Sequence, residues 1–185
     1  PKTGQPGAHC SWIWPGLKKS GETRFLILQR NYGASTASLE DVPVTIQFRD
    51  PGVIYDVIGG KLLGRGDSVS LTMVNCTSRV FSVLPSEVLG VEVQPPKASY
   101  APGEEAALEC SVKVAAGKPD PRVFHVDIVQ PDGKVHEDYS TDLICPTGRG
   151  TVRVPFALND LKGDWQASII DVSTGVSTPV KFTHK

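Results

Sequence analysis

The chain has 185 residues, 39% hydrophobic and 21% charged, with 19 Lys and Arg against 20 Asp and Glu. That length suits one large domain or two small ones, and a net charge of −1 removes the electrostatic drive toward nucleic acid or an anionic membrane surface. No apolar run reaches the ~20 residues that a membrane-spanning helix needs, so membrane insertion is not expected.

The chain opens at Pro1 and its single methionine is Met73, as expected of a processed or excised piece of a longer protein. Its 18 glycines and 15 prolines are spread throughout, and no apolar stripe at helical spacing lasts beyond about two turns. Many short strands joined by turns are predicted, an all-β fold.

Residues 1–23 read as irregular, apart from the apolar strand Trp12-Ile13-Trp14. Trp12 and Trp14 share a face at period two. Exposed, such a pair makes a stacking platform for sugar rings; buried, it covers a sheet edge or fills a core, the outcome that tryptophan's large apolar area favours. Residues 24–30 (Arg-Phe-Leu-Ile-Leu-Gln-Arg) are nearly continuously apolar, as in a central strand covered on both faces. After a loop at 31–41, Val42, Val44, Ile46 and Phe48 alternate with Pro43, Thr45, Gln47 and Arg49. That is a strand with one wet face, and Pro43 belongs near its start or on an edge.

Asp50-Pro51-Gly52 reads as a turn into residues 53–64, Val-Ile-Tyr-Asp-Val-Ile-Gly-Gly-Lys-Leu-Leu-Gly. This is strand, Gly-Gly turn, strand, with Tyr55 and Asp56 placed to pin a sandwich together. Arg65-Gly66-Asp67 resembles the integrin-recognition tripeptide of adhesive proteins, yet it falls where a hairpin turn is expected and Gly and Asp are turn formers in their own right. Strands follow at 68–74 and 79–84. Asn75-Cys76-Thr77 matches an N-glycosylation acceptor, meaningful only in a eukaryotic secretory pathway.

The order of these features carries a resemblance. The strand at 42–49, Tyr55-Asp56-Val57 with Gly60-Lys61 and Leu63-Gly64, and the strand ending Phe81 to Leu84-Pro85 resemble the small C-terminal β-sandwich of bacterial glycoside hydrolase-like proteins similar to β-galactosidases. The likeness covers residues 24–86; it departs at Ile58-Gly59, and Cys10 to Pro15 has no counterpart in it. It implies a module that follows a (β/α)₈ barrel, with that upstream catalytic or barrel domain as its partner. No catalytic carboxylate of such enzymes lies in the matched segment, so none is carried over.

Residues 87–96 read as a hinge, stiffened by Gln94-Pro95-Pro96. Beyond it, Leu108, Cys110, Val112 and Val114 alternate inward against Glu109, Ser111 and Lys113. A strand at 122–130, a Pro131-Asp132-Gly133-Lys134 hairpin signal into 135–140, and strands at 151–156, 165–172 and 176–182 make about seven, the count of an immunoglobulin-like sandwich. Gly163-Asp164-Trp165 with Asp171-Val172 and Gly175 resembles Ig-like modules of bacterial extracellular proteins and macroglobulins. The antibody Cys…Trp…Cys order is absent, since Trp165 follows both Cys110 and Cys145.

The four cysteines divide two to each half, so Cys10–Cys76 and Cys110–Cys145 is the economical pairing, implying an oxidising compartment. Four buried thiols are the alternative. Histidines 9, 125, 136 and 184 are too dispersed to suggest a site. No Gly-x-Ser-x-Gly elbow is present, Leu62 stands where a phosphate loop needs Ser or Thr after Gly60-Lys61, and no cysteine spacing suggests zinc. His136-Glu137-Asp138 alone offers metal-type ligands, on a hairpin where such clusters are usually solvated.

These readings combine into two consecutive antiparallel β-sandwich domains, residues 1–92 and 93–185, the second immunoglobulin-like. The chain is expected to be a non-catalytic accessory segment of an extracellular or periplasmic glycoside hydrolase-like protein. It would need no cofactor or metal and would bind no nucleic acid, giving structural support, domain or oligomer contacts, or weak polysaccharide binding through Trp12 and Trp14. The alternative is an extracellular adhesion or protein-interaction module presenting Arg65, Gly66 and Asp67.

Overall fold

A computed structural model describes residues 13–30, 41–74, 77–94 and 97–185, which form strands and turns with no helix among them. The all-β prediction holds. Two compact units divide the chain, Pro1–Ser86 and Glu87–Lys185.

The first unit contains β1 (Ile13–Ser20), β2 (Thr23–Arg30), β3 (Val42–Asp56), β4 (Lys61–Met73) and β5 (Ser78–Leu84). They make one antiparallel sheet in the order β1-β2-β5-β3-β4. β1 runs on through Pro15 and Gly16, which the sequence placed in an irregular segment. An edge strand tolerates the proline because one row of its backbone donors lacks ladder partners anyway. β2 is interior in the sheet, but only one of its faces is covered: Leu26, Leu28 and Arg30 are buried while Ile27 and Gln29 are exposed.

Two predicted turns, at 50–52 and 64–68, prove to be facing irregularities in one long ribbon. The β3–β4 register slips between Gln47 and Gly52, where Gly52 stands opposite Gly66. Gly66 has φ of 136°, a conformation glycine adopts without a Cβ clash. At Gly52 a β-carbon would lie 2.5 Å from Val83 Cγ1 and 2.8 Å from the Leu84 carbonyl oxygen, so the strands meet only because no side chain is present. The Arg24 guanidinium donates to the carbonyls of Asp50 (2.9 Å) and Pro51 (3.1 Å), giving partners to groups that the irregular pairing releases. Beyond this corner Val44, Ile46, Phe48 and Leu71 pack on the cluster of Leu26, Leu28, Met73 and Phe81, so one sheet supplies both layers around its core. The opposite face of the ribbon is wet, as the alternation at 42–49 predicted, and there the Thr45 and Ser70 hydroxyls pair at 2.9 Å.

The second unit contains β6 (Val88–Gln94), β7 (Ser99–Tyr100), β8 (Glu105–Val114), β9 (Arg122–Val129), β10 (Thr141–Cys145), β11 (Arg149–Pro155), β12 (Gly163–Asp171) and β13 (Ser177–His184). A five-stranded sheet, β10-β9-β12-β13-β7, and a three-stranded sheet, β11-β8-β6, form an immunoglobulin-like sandwich. All pairs are antiparallel except the short β13–β7 contact. β6 pairs with β8 through Val91 and Val112, so the segment read from the sequence as a hinge, with the domain boundary at 92/93, is a strand hydrogen-bonded within this unit. Leu108, Phe124, Val126, Ile128, Val154, Trp165 and Ile169 are buried between the sheets.

The Pro131–Lys134 segment turns as predicted, with the Gly133 amide donating to the Gln130 carbonyl (2.9 Å). The strand expected at 135–140 does not form; only an isolated bridge joins Val129 to Val135. The Ile128 amide donates instead to the Ser140 hydroxyl (3.0 Å), and the Tyr139 and Ser140 amides turn back on the His136 carbonyl. β9 takes as its ladder partner β10, a strand not predicted from the sequence.

Candidate functional site

Trp14 is 58% exposed. It stands opposite Gln29 across the β1–β2 ladder, and Gly16 stands opposite Ile27 two positions on. The face away from the core therefore presents an indole, an amide directly across from it, an exposed aliphatic side chain, and a bare stretch of backbone at Gly16. An aromatic face beside a hydrogen-bonding amide can stack on a sugar ring and bond its hydroxyls. Trp12, the other half of the predicted pair, lies outside the described residues.

On the core side, a cavity of about 470 Å³ opens between β1, β2 and the bent half of β3, with Ile13, Leu17, Leu28, Val44, Ile46 and Phe48 among its walls. In the second unit a more polar cavity of about 400 Å³ lies along β6, β8 and β11, with Glu92, Glu109, Ser111, Arg149 and Thr151 in its lining.

Arg65 and Asp67 are exposed, but within edge strand β4 rather than at a hairpin tip. The turn that connects β3 to β4 is 57–60. There the Asp56 carboxylate accepts the Gly59 amide (3.0 Å) and Arg79 (2.7 Å). Tyr55 and Asp56 are both buried, and Asp56 ties the 57–60 turn to Arg79 of β5 within one sheet rather than pinning two sheets of a sandwich together.

Several other ionisable groups are engaged in internal contacts. Tyr139 donates to Asp160 Oδ2 (2.7 Å), which also accepts the Ala157 amide (2.7 Å); burial, then the Asp160 contact, raises the Tyr139 pKa. Glu104 accepts the Ala101 amide (2.8 Å) and Lys97 (3.0 Å), which holds its carboxyl below the usual range. His125 lies between Asp142 (2.8 Å) and Asp127 (3.3 Å) on the outer face of the five-stranded sheet.

Two histidines judged too dispersed for a site converge on one aromatic cluster. The His136 ring stacks on Tyr139 at 3.9 Å and lies 5.8 Å from Trp165, while His184 stacks on Phe156 at 4.5 Å. Phe156 meets Trp165 edge-on at 5.2 Å. A separation of 48 residues hid this, and only the sandwich pairing brings the rings together. His136 packs there, whereas Glu137 and Asp138 are exposed. No metal-binding group of three His, Cys, Asp or Glu occurs among the described residues.

The expected bond between Cys110 and Cys145 is not formed in this structure, where both are buried free thiols. Cys110 is 2% and Cys145 0% exposed. Cys10, Cys76, Asn75 and His9 lie outside the described residues.

No protein-family model and no curated protein matches the chain. Among solved structures, the adhesin InvE of Yersinia pseudotuberculosis is similar at 12% identity with a TM-score of 0.43, covering 90% of this chain and 55% of that one. A Salmonella alpha-2-macroglobulin is similar at 17% identity and a TM-score of 0.44, covering 95% of this chain and 12% of the other. A Parabacteroides merdae β-glucuronidase is similar at 8% identity and a TM-score of 0.34, covering 91% and 29%. The chain thus spans from about an eighth to about half the length of these chains.

Proposed function

We propose that this chain is a non-catalytic accessory segment of an extracytoplasmic glycoside hydrolase-like protein, whose first unit holds carbohydrate weakly on the Trp14 face. The observation that carries the reading is the exposed Trp14 beside Gln29 on a solvent-facing sheet surface. A tryptophan left that open forgoes the roughly 2–3 kcal/mol of burial available to a large apolar side chain, and sugar stacking recovers such area on binding. The engagement of Asp56, Asp160 and Glu104 in internal bonds fits a scaffold role. The order of strands and of the Tyr55-Asp56-Val57 and Gly60-Lys61 segments supports a place after a barrel domain, with that domain as partner.

The test is a titration of the chain with a panel of plant, bacterial and host oligosaccharides, followed by tryptophan fluorescence. Quenching or a blue shift with at least one glycan is expected, and its loss in Trp14→Ala. Trp165, fully buried, gives a constant background. A flat response across the panel would leave the first unit with support alone.

A second reading, an adhesion module, is favoured by the exposure of Arg65 and Asp67 on β4. It places the integrin-type tripeptide at a sheet edge, where extended chains can add by strand pairing.

A further inference from the structure

Cys110 lies in β8 of the three-stranded sheet and Cys145 ends β10 of the five-stranded sheet, with side chains 2% and 0% exposed. Gly150 brings them together. It stands opposite Cys110 in the β8–β11 ladder, and a β-carbon on it would lie 2.7 Å from Cys145 Sγ. Opposed β-carbons of an antiparallel pair are about 4.5–5.5 Å apart on one face. The Cys145 sulfur therefore fills the space that a side chain at 150 would take, directly across from Cys110. Cys110 is on the central strand of its sheet and Cys145 on an edge strand of the other, so a bond between them would tie the two sheets together.

We infer that Cys110 and Cys145 form a redox pair that closes into a disulfide between the two sheets. The inference is independent of the carbohydrate reading, since it concerns the second unit. Burial, and then the neighbouring Cys145, push the Cys110 thiol up to about 11, and burial raises Cys145 as well. Both are therefore poor nucleophiles once the unit has folded, and the bond forms fastest during folding. With oxidised glutathione as the oxidant, one thiolate attacks the glutathione disulfide and releases one reduced glutathione. The second thiolate then displaces the other. Two protons and two electrons leave the cysteine pair, and two reduced glutathiones are produced.

The experiment refolds the whole chain from denaturant in an oxidised/reduced glutathione buffer, alkylates remaining thiols, and maps the peptides by mass. A peptide pair joined through Cys110 and Cys145 is expected, with the Tm of the second unit higher than in the reduced chain by roughly 10 °C. Cys145→Ala keeps the site small and apolar and should abolish the redox dependence of Tm. Cys10→Ser/Cys76→Ser should preserve it. Gly150→Ala fills the space and should leave Cys110 and Cys145 alkylated under the same conditions. Linkage of either residue to Cys10 or Cys76, or quantitative alkylation of both in the otherwise unaltered chain, would overturn the inference.

Discussion

Arg122 and Asp171 face each other inside the second sandwich, Nε to Oδ2 at 3.7 Å, with side chains 2% and 0% exposed. The same carboxylate accepts the Thr174 hydroxyl (2.8 Å) and the Ser173 amide (3.1 Å), so the turn that starts β13 is wrapped around it. Burial raises the Asp171 pKa, and Arg122 is the first of the groups that oppose the rise. Charge this deep is held only by its partners.

Asp171→Ala should destabilise the second unit by about 3–5 kcal/mol, because it strands the Arg122 charge in the core. Arg122→Met/Asp171→Ala should cost less than the sum of the two single changes. Urea unfolding of the four proteins gives the coupling directly, and additive losses would mean that the pair has no mutual dependence.

His125 supplies a pH dependence. Its pKa is raised above 6.5, first by the hydrogen bond to Asp142, with Asp127 adding to the rise. A histidine whose pKa rises on folding stabilises fully below its unfolded value and loses that stabilisation as pH climbs through the folded value. With its side chain 47% exposed, solvent screening keeps the effect below about 1 kcal/mol. Thermal unfolding between pH 5 and 8.5 should show the decline, and His125→Gln should flatten it.

Gly52 and Gly64 make a matched pair for testing the corner of the β3–β4 ribbon. An added methyl at Gly52 meets Val83 and the Leu84 carbonyl below 3 Å, while at Gly64 nothing lies within 4 Å. Gly52→Ala should therefore cost about 1–3 kcal/mol, and Gly64→Ala should stay within about 0.5 kcal/mol. Chemical denaturation of each variant decides it.

If the edge of β4 serves adhesion, Asp67→Glu should abolish attachment of integrin-bearing cells to surfaces coated with the chain while leaving its unfolding curve unchanged. Attachment that survives the change removes that second reading. Trp14→Ala, by contrast, should leave attachment intact.

The strands that alternate were legible in the sequence, because period-two patterning encodes which side is buried: Val44, Ile46 and Phe48 face inward in β3, and Leu108, Cys110 and Val112 in β8. What failed were the places where a local signal was outweighed by pairing. Asp50-Pro51-Gly52 has ideal turn chemistry, yet β4 carries a matching irregularity at Gly66, and together they bend a ribbon instead of ending a strand. Residues 135–140 look like the return arm of a hairpin, yet the Ser140 hydroxyl takes the Ile128 amide that the ladder would have used. Of the candidate site residues, the exposure of Trp14 depends on where β1 sits in the sheet, which composition and spacing do not specify. The meeting of His136 and His184 around Phe156 and Trp165 depends on long-range order, which a single sequence does not carry.

The cornered ribbon also divides its residues into two classes with different freedom to vary. Val44, Ile46, Phe48, Leu71 and Met73 answer to the core, and Gly52 answers to Val83. Thr45, Gln47, Ser68, Ser70 and Thr72 line the opposite face, all exposed, and their side chains answer mainly to water. A lineage, or an engineer, can rewrite that row of five while the packing beneath stays put. The first unit thus carries a blank panel on a braced frame, ready to acquire new specificity without being refolded.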